Sequence, residues 1–326
     1  MVNLANILGP SQLMPRHFWA VLLAGGDGIR LRDLTLRIVG DHRPKQFCPI
    51  TGSESLLRQT RTRLAPLFSR DRQVFVLSCA HERYYNEELV DAGDSVVIAQ
   101  PTNRGTAIGI IVALIQIMQA DQDAIVGLFP SDHYYTDDES FRLMVRSATS
   151  AAARFLESLI IVGAEAEYAE TDYGWFEPGA TVLQTQAGPL CRVNGFWEKP
   201  ALPRARALLQ SGCLWNTFIT VGSAHTFLEL LCSEVPEVVL SITRALADKD
   251  LATTYARLLS VDFSHDILAH QAKKLFVLCN SGSGWADLGS PDRVLGLLAK
   301  GMNQPAWVRQ IHSLSSDVHT LGEVVS

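Results

Sequence analysis

A glycine-rich segment at residues 23–31 (LAGGDGIRL) is the first part of this sequence that could bind an anion. Glycines lack a Cβ atom, so the backbone N–H groups of Gly25, Gly26 and Gly28 can approach a phosphate closely, and Arg30 adds a cation beside them. The spacing matches neither G-x-G-x-x-G nor G-x-x-x-x-G-K-[ST], which excludes the dinucleotide and Walker patterns. We interpret the segment as a phosphate-binding turn, with an ordinary strand-to-helix turn as the alternative.

Two further segments carry groups suited to a nucleotide. In the PKQF segment at 44–47, Lys45 offers a charge for phosphate and Gln46 an amide that could read a base edge. Residues 101–107 (PTNRGTA) open a helical pattern, where Asn103 could cap the helix and direct its free N–H groups toward a ligand. The alternatives are a surface Lys-Gln pair and a simple helix cap.

Two isolated acids could hold a metal ion. Asp132 follows a buried strand in FPSDH (129–133), at the carboxyl edge where open α/β sheets bind ligands. Asp287 lies between an aromatic residue and a glycine in GWADLG (284–289). Mg²⁺ typically takes one or two carboxylates together with phosphate oxygens, so these two acids predict a magnesium site if the fold brings them together. We expect His133 to be a structural hydrogen-bonding residue and not a ligand.

Three aromatic segments follow, at 172–177 (DYGWFE), 196–200 (FWEKP) and 214–218 (LWNTF). Each joins aromatic surface to one or two polar groups, which suits a sugar ring with hydroxyl groups at its rim. Lys199 could then bind a phosphate on that sugar. Core aromatics at strand ends are the alternative for each segment alone.

The elements that must position these residues follow an alternating pattern typical of a wound α/β sheet. Apolar runs predict strands at 18–24, 73–78, 96–99, 124–129 and 159–163, with helices between them, and shorter aromatic strands follow at 173–177, 192–197 and 215–221. We expect an N-terminal extension (1–15), one catalytic domain (16–302) and a C-terminal tail (303–326). Within the domain, the nucleotide-binding part should reach about residue 170 and the acceptor-binding part should follow it on the same sheet.

The composition narrows the class of protein. The 326 residues are 47% apolar and 19% charged with a net charge of −6, which indicates a globular chain without the cationic surplus of a nucleic-acid-binding protein. The apolar stretch at 108–118 is far shorter than the ~20 residues of a membrane span. Six scattered cysteines predict reduced thiols and a cytoplasmic protein.

Taken in order, eight segments resemble the sugar-1-phosphate nucleotidyltransferase family, most closely mannose-1-phosphate guanylyltransferases. They are GGDGIRL, PKQF, NRGTA, FPSDH, DYGWFE, FWEKP, LWN and GWADLGS, between about residues 18 and 298. The resemblance implies a Rossmann-like (GT-A-type) α/β fold, with a mixed, mostly parallel sheet flanked by helices and a smaller acceptor-binding subregion. It implies Mg²⁺ as cofactor and two small-molecule substrates, an NTP (GTP) and a sugar 1-phosphate (mannose 1-phosphate). We expect no nucleic-acid or membrane partner, and carry a homodimer as the expected assembly.

The resemblance also implies roles for particular residues. Asp132 and Asp287 would ligate the metal, and they would form the catalytic set with Arg30, Lys45 and Lys199. Residues implied to bind the nucleotide are Leu23, Ala24, Gly25, Gly26, Gly28, Gln46, Asn103, Gly105, Thr106 and Ser131. Residues implied to bind the sugar phosphate are Tyr173, Gly174, Glu198, Lys199, Asn216 and Trp285.

Several positions depart from the usual family pattern, which leaves the substrates open. They are Ile29, Asp33, the 103–106 segment, Asp172 and the Thr217-Phe218 pair. One alternative is a thymidylyl- or uridylyltransferase for glucose 1-phosphate, and another is a guanylyltransferase for a different sugar phosphate such as a heptose. A third is a non-catalytic subunit that senses nucleotide sugars. An NAD-dependent oxidoreductase is disfavoured because the G-x-G-x-x-G spacing is missing.

Overall fold

The computed structural model describes residues 17–280, 282–300 and 305–308. The predicted N-terminal extension and, apart from 305–308, the predicted tail lie outside these residues. Within them, apolar runs form strands that alternate with helices. The strands are β1 (Phe18–Leu23), β2 (Gln73–Ser78), β3 (Val96–Gln100), β4 (Ile125–Pro130), β5 (His133–Tyr135), β6 (Leu159–Glu165), β7 (Gly174–Thr185), β8 (Gly188–Glu198), β9 (Leu214–Ser223), β10 (Leu275–Asn280) and β11 (Trp285–Asp287).

Some of the helices begin at a residue whose side chain caps them. Asp137, for example, accepts hydrogen bonds from the N–H groups of Glu139 and Ser140 and so caps the fifth helix. The helices are α1 (Arg32–Val39), α2 (Leu56–Leu64), α3 (Glu82–Glu88), α4 (Thr106–Ala120), α5 (Asp138–Arg154), α6 (Leu202–Gln210), α7 (Ala224–Glu234), α8 (Pro236–Ala247), α9 (Leu251–Arg257) and α10 (Pro291–Lys300). A π-helical turn covers Phe263–Ile267.

One nine-stranded sheet has the order β3-β2-β1-β4-β9-β6-β10-β8-β7. β1 pairs in parallel with β2 and β4, β2 with β3, and β6 with β10. β9 runs antiparallel between β4 and β6, and β8 runs antiparallel between β10 and β7. The predicted fold class, a mixed and mostly parallel α/β sheet flanked by helices, is confirmed. The strands after residue 170 join the same sheet as the first four.

Both faces of this sheet are covered by helices. In β1, Trp19 and Val21 pack into a cluster with residues of α4 and α7, whereas Ala20 and Leu22 pack into a cluster on the opposite face with residues of α2 and α5. Alternate side chains of a strand point to opposite faces, so a strand covered on both sides is apolar throughout. A smaller cluster, which includes Trp175 and Trp215, packs α6 against the acceptor-side strands.

The predicted strands are found, with differences in length and number. β7 and β8 extend beyond the predicted 173–177 and 192–197 because they pair as a long hairpin. The strands predicted from the sequence do not include β10, although its apolar run is as clear as that of β6. They also do not include β5 and β11, which have three residues each and therefore show no measurable period.

All six cysteines lie in the described residues and are free thiols, as their spacing predicts. In the part of the chain that the structure describes, no helix has both the length and the apolar composition to cross a bilayer.

Candidate active site

A cavity of about 440 Å³ lies at the carboxyl edge of β1, β3 and β4, where the acceptor-side strands meet them. Most of the predicted site residues line it. They are Leu23, Gly25, Gly26, Arg30, Asn103, Gly105, Thr106, Asp132, Tyr173, Gly174, Glu198, Lys199, Asn216, Trp285 and Asp287. An adjoining cavity of about 330 Å³ is lined by Gly28, Arg30, Lys45 and Asp132 among others.

The Lys45 ammonium group lies between the two predicted metal acids. Its Nζ is 3.3 Å from Asp132 Oδ2 and 3.1 Å from Asp287 Oδ1, and it also donates to the carbonyl oxygen of Leu288 at 3.1 Å. Burial alone would lower the pKa of Lys45, but the negative charges of the two acids outweigh that effect and raise it. The tertiary structure therefore brings together three residues that are widely separated in the sequence.

The short β5–β11 ribbon explains how the two acids meet. β11 pairs antiparallel with β5, and Asp287 lies opposite His133 in that register. Asp132 immediately precedes β5, so the pairing holds both carboxyl groups at one edge of the cavity. Burial by itself would raise the pKa of Asp287, but the positive charges of Lys45 and Arg293 lower it below its usual range.

His133 takes part in a structural hydrogen bond. The Trp285 indole N–H donates to His133 Nδ1 at 3.1 Å, so a neutral His133 carries its proton on Nε2. That nitrogen lies 3.7 Å from Asp132 and 3.8 Å from Asp287. Burial lowers the pKa of His133, which favours the neutral imidazole.

The glycine-rich turn has the geometry that a close backbone approach requires. Gly28 has a φ of +59°, and a Cβ atom there would lie 2.9 Å from the backbone nitrogen of Lys45. Two predicted nucleotide-binding residues, Gln46 and Ser131, bind the backbone of this segment with their side chains. The buried Gln46 amide donates to the carbonyl oxygens of Ala24 (2.9 Å) and Gly26 (2.7 Å), and the buried Ser131 hydroxyl donates to Leu23 at 2.7 Å. The interpretation of the Gln46 amide group as a reader of a base edge therefore lacks geometric support, because that group shapes the loop.

The 103–106 segment differs from the predicted helix cap. The residue that caps α4 is Gly105, and the Asn103 side chain instead accepts from the Gly105 N–H at 3.0 Å and donates to Asp27 at 3.1 Å. The Thr106 hydroxyl accepts from the Phe263 N–H at 2.8 Å. These bonds fix the turn against the glycine-rich loop and the π-helical segment.

The acceptor side presents a buried carboxylate beside an exposed lysine. Glu198 Oε1 lies 3.4 Å from Lys199 Nζ, and Glu198 Oε2 is buried with no hydrogen-bond partner among the described residues. Burial raises the pKa of Glu198, and the Lys199 charge opposes that shift. A Cβ atom on Gly174 would lie 2.6 Å from Glu198 Oε2, so the glycine leaves room for this carboxylate. Asn216 donates to the Ser264 hydroxyl group at 3.3 Å.

Arg293, in α10, is a site residue that the sequence reasoning missed. Its Nη1 donates to Asp287 Oδ2 at 3.0 Å, its Nη2 is 2.9 Å from Glu170 Oε2, and its guanidinium lies 4.5 Å above the Tyr173 ring centre. Burial would lower the pKa of Arg293, but Tyr173 and the acids around it raise it. No spacing rule connects this helix to Glu170 and Tyr173, which are distant in the sequence. The one available signal was an arginine in the helix that follows the GWADLG segment.

The donor set limits which metal could bind. Among the described residues, no group of three or more His, Cys, Asp or Glu side chains could hold a metal ion. Two carboxylates that face one ammonium group are nevertheless a suitable partial set for a hard cation whose other ligands come from phosphate and water.

The chain is similar to known proteins over most of its length. The profile of a family described as "Nucleotidyl transferase" matches residues 19–301. "Alginate biosynthesis protein AlgA" of Pseudomonas aeruginosa is 29% identical over 294 residues, covering 87% of this chain and 59% of that protein. "Mannose-1-phosphate guanylyltransferase" of Sinorhizobium fredii is 28% identical over 306 residues, covering 89% of this chain and 56% of that protein. The chain thus spans less than two thirds of the length of these curated relatives.

A solved structure is also similar. The crystal structure titled "mannose-1-phosphate geranyltransferase" from Thermus thermophilus aligns with a TM-score of 0.73 and 26% identity. The alignment covers 84% of this chain and 76% of that chain.

Proposed function

This chain belongs to the Nucleotidyl transferase family, and from that premise we propose that it joins a sugar 1-phosphate to a nucleoside triphosphate and releases pyrophosphate. The substrates that we propose are mannose 1-phosphate and GTP, with GDP-mannose as product. The names of the Sinorhizobium fredii relative and the Thermus thermophilus structure, both of which include mannose 1-phosphate, support this choice.

The observation that carries the proposal is the meeting of Lys45, Asp132 and Asp287 beside the glycine-rich turn. Lys45 Nζ lies within 3.3 Å of an oxygen of each acid. Cations and metal-binding carboxylates next to an anion-binding turn are the groups that a phosphoryl-type transfer needs. The same cavity reaches Glu198, Lys199 and Asn216, so there is room for an acceptor beside the nucleotide.

Mg²⁺ fits the donor set of this site. Asp132 and Asp287 would hold the ion, with the remaining ligands from phosphate oxygens and water. When bound, the ion would supply Lewis-acid neutralisation of phosphate charge. Arg293 and Lys45 each bind one oxygen of Asp287 and so fix the orientation of its carboxylate.

In the proposed reaction, a phosphate oxygen of mannose 1-phosphate attacks the α-phosphorus of GTP in line. The new P–O bond forms as the bond to the β-phosphate oxygen breaks, and pyrophosphate leaves with that electron pair. The attacking phosphate is already anionic near pH 7, so the protein needs no general base. Its contribution is positioning and charge neutralisation by Arg30, Lys45 and Lys199.

A substrate panel tests this proposal. Pyrophosphate release is measured with GTP, ATP, UTP and dTTP, each paired with mannose, glucose or heptose 1-phosphate in the presence of Mg²⁺. We expect GTP with mannose 1-phosphate to react fastest. A faster reaction with another pair would replace the proposed substrates, and binding of GDP-mannose without turnover of any pair would favour a sensing subunit.

Asp132→Asn tests the proposed metal acid in the same assay. We expect turnover to fall on the order of 10²–10³-fold, as when one preorganised electrostatic contact is lost. The melting temperature should change little, because the substitution keeps the shape of a side chain that is one-third exposed. Asp94→Asn, at an exposed loop position before β3, is the control. Near-normal kinetics of Asp132→Asn would contradict the assignment.

We also propose a cytoplasmic location, because the six free thiols would stay reduced there. Measurement of molar mass in solution on the same preparation tests the expected homodimer.

A further inference from the structure

Asp172 joins two arginines through a single oxygen atom. Its Oδ2 accepts from Arg30 Nη1 and from Arg293 Nη2, both at 3.1 Å. The residue directly precedes Tyr173 and Gly174 on the acceptor side, whereas Arg30 follows the glycine-rich turn on the nucleotide side. Asp172 has no role in the proposed reaction.

One of these arginines is anchored and the other is not. The Arg293 side chain is 13% exposed and is held by Asp287, Glu170 and the Tyr173 ring. The Arg30 side chain is 63% exposed on a short turn, so its flexible stem would lose much rotational freedom on binding a phosphate. Arg293 therefore fixes the Asp172 carboxylate, and that carboxylate restrains the exposed Arg30 side chain.

The contact leaves Arg30 able to bind an anion. A guanidinium group has five N–H donors, and the bond to Asp172 uses a single one of its nitrogens. Arg293 also binds Asp287 and Glu170, so Asp172 keeps a fixed partner if Arg30 moves.

We propose that Asp172 is a positioning residue that holds Arg30 toward the phosphates of the nucleotide and connects it, through Arg293, to Asp287. This inference rests on the proposed function, because it takes Arg30 as a phosphate-binding residue.

The test is the equilibrium binding of GTP and of inorganic tripolyphosphate, measured by titration calorimetry with Mg²⁺. Asp172→Asn should raise the dissociation constant of both probes about two- to fivefold, the range expected for one exposed ion pair. Asp172→Glu, which retains the charge, should recover part of the affinity. The melting temperature and the affinity for mannose 1-phosphate should stay close to those of the wild type.

A double variant separates positioning from a general effect of charge. Because Asp172 acts through Arg30, Asp172→Asn should have no further effect in an Arg30→Ala background. Asp292→Asn, which removes an acid next to Arg293 in the sequence and in the first turn of α10, is the matched control and should leave the affinity unchanged.

Three results would overturn the inference. The first is tighter binding of the probes by Asp172→Asn, which would make Asp172 a competing anion. The second is an additive loss of affinity in the Arg30→Ala background. The third is an equal loss of affinity in Asp292→Asn. Tripolyphosphate tests the arginine without a base or a sugar. A protein that binds it but turns over no substrate pair would therefore contradict the proposed function and still decide the role of Asp172.

Discussion

At the scale of single residues, Lys45 controls the charge balance of the site. Its ammonium group is nearly buried between Asp132 and Asp287, whose carboxylates would otherwise face each other across the same space. Two like charges at short range in a partly buried site are unfavourable, and an internal cation relieves that repulsion. The Lys45 side chain is therefore expected to stabilise the protein without bound ligands as well as to bind phosphate.

Lys45→Met should destabilise the protein in the absence of metal by about 3 kcal/mol, because it leaves two acids without their shared cation. Millimolar Mg²⁺ should restore part of this loss, since an ion that binds only the folded protein stabilises it. Denaturant unfolding with EDTA and with Mg²⁺ gives both values. Lys199→Met, at a 60% exposed lysine with one acid partner, should cost little. Equal stability of Lys45→Met and the wild type in EDTA would contradict this account.

Glu198 should make stability depend on pH. Burial raises the pKa of Glu198 in the folded protein. The protonated carboxyl group therefore favours the folded state, fully so below the pKa of the unfolded chain. This stabilisation is lost as the pH rises through the pKa of the folded protein. Glu198→Gln removes the buried charge. Its melting temperature relative to the wild type should therefore rise as the pH increases above about 4, the usual pKa of an unfolded glutamate.

Glu165→Gln, at an exposed position at the end of β6, is the control for Glu198→Gln and should show no such trend. A difference in melting temperature between Glu198→Gln and the wild type that stays constant with pH would show that burial does not shift the pKa of Glu198. Activity should fall in Glu198→Gln, because the carboxylate is proposed to contact the sugar.

Sequence patterns could predict part of the site at this scale. Lys45, Asp132 and Asp287 stand in recognisable segments, and the structure brings them together. Gln46 and Ser131 stand in equally recognisable segments, yet their polar groups bond to the backbone of the loop. A motif identifies a residue type at a position but not the direction of its side chain. Arg293 stands in the helix after the GWADLG segment, but its role arises from packing with Glu170 and Tyr173, which no sequence spacing shows.

At the scale of elements, the turn before α4 depends on a residue without a side chain. Gly105 has a φ of +83°, and a Cβ atom there would lie 2.2 Å from the carbonyl oxygen of Val261. The Ala107 N–H donates to that same oxygen at 3.1 Å, so the start of α4 is tied to this contact. An added methyl group would have to displace backbone.

Gly105→Ala should therefore lower the free energy of unfolding by about 3 kcal/mol, through backbone strain and overpacking together. Gly212→Ala is the matched control, because its φ is +70° and no atom lies within 4 Å of the added Cβ. It should cost only about 1 kcal/mol of strain. Equal losses in the two variants, measured by chemical denaturation, would exclude the steric contact as the cause.

The elements also show which parts of the fold a pattern can reveal. β2 and β6 are apolar over most of their length because helices cover both faces of the sheet, and such runs are easily identified. The β5–β11 ribbon, with three residues in each strand, has no such signal. Its pairing depends on long-range contacts, yet it places both predicted metal acids.

At the scale of the whole molecule, one sheet unites the two predicted halves. β9 pairs with β4 on one side and β6 on the other, so the acceptor-side strands continue the nucleotide-side sheet. β11, late in the chain, contributes Asp287 to a cavity whose opposite wall is built near the start. Arg293 of α10 donates to that carboxylate. The site is therefore complete only when the described chain is fully folded.

The central claim is that Asp132 and Asp287 hold one divalent ion together with the nucleotide. The most direct measurement is anomalous X-ray diffraction from crystals that contain Mn²⁺ and a non-hydrolysable GTP analogue. We predict one strong manganese peak within coordination distance of both carboxylates and of a nucleotide phosphate. A manganese ion bound elsewhere, or one that touches neither acid while the nucleotide occupies the cavity, would contradict the claim.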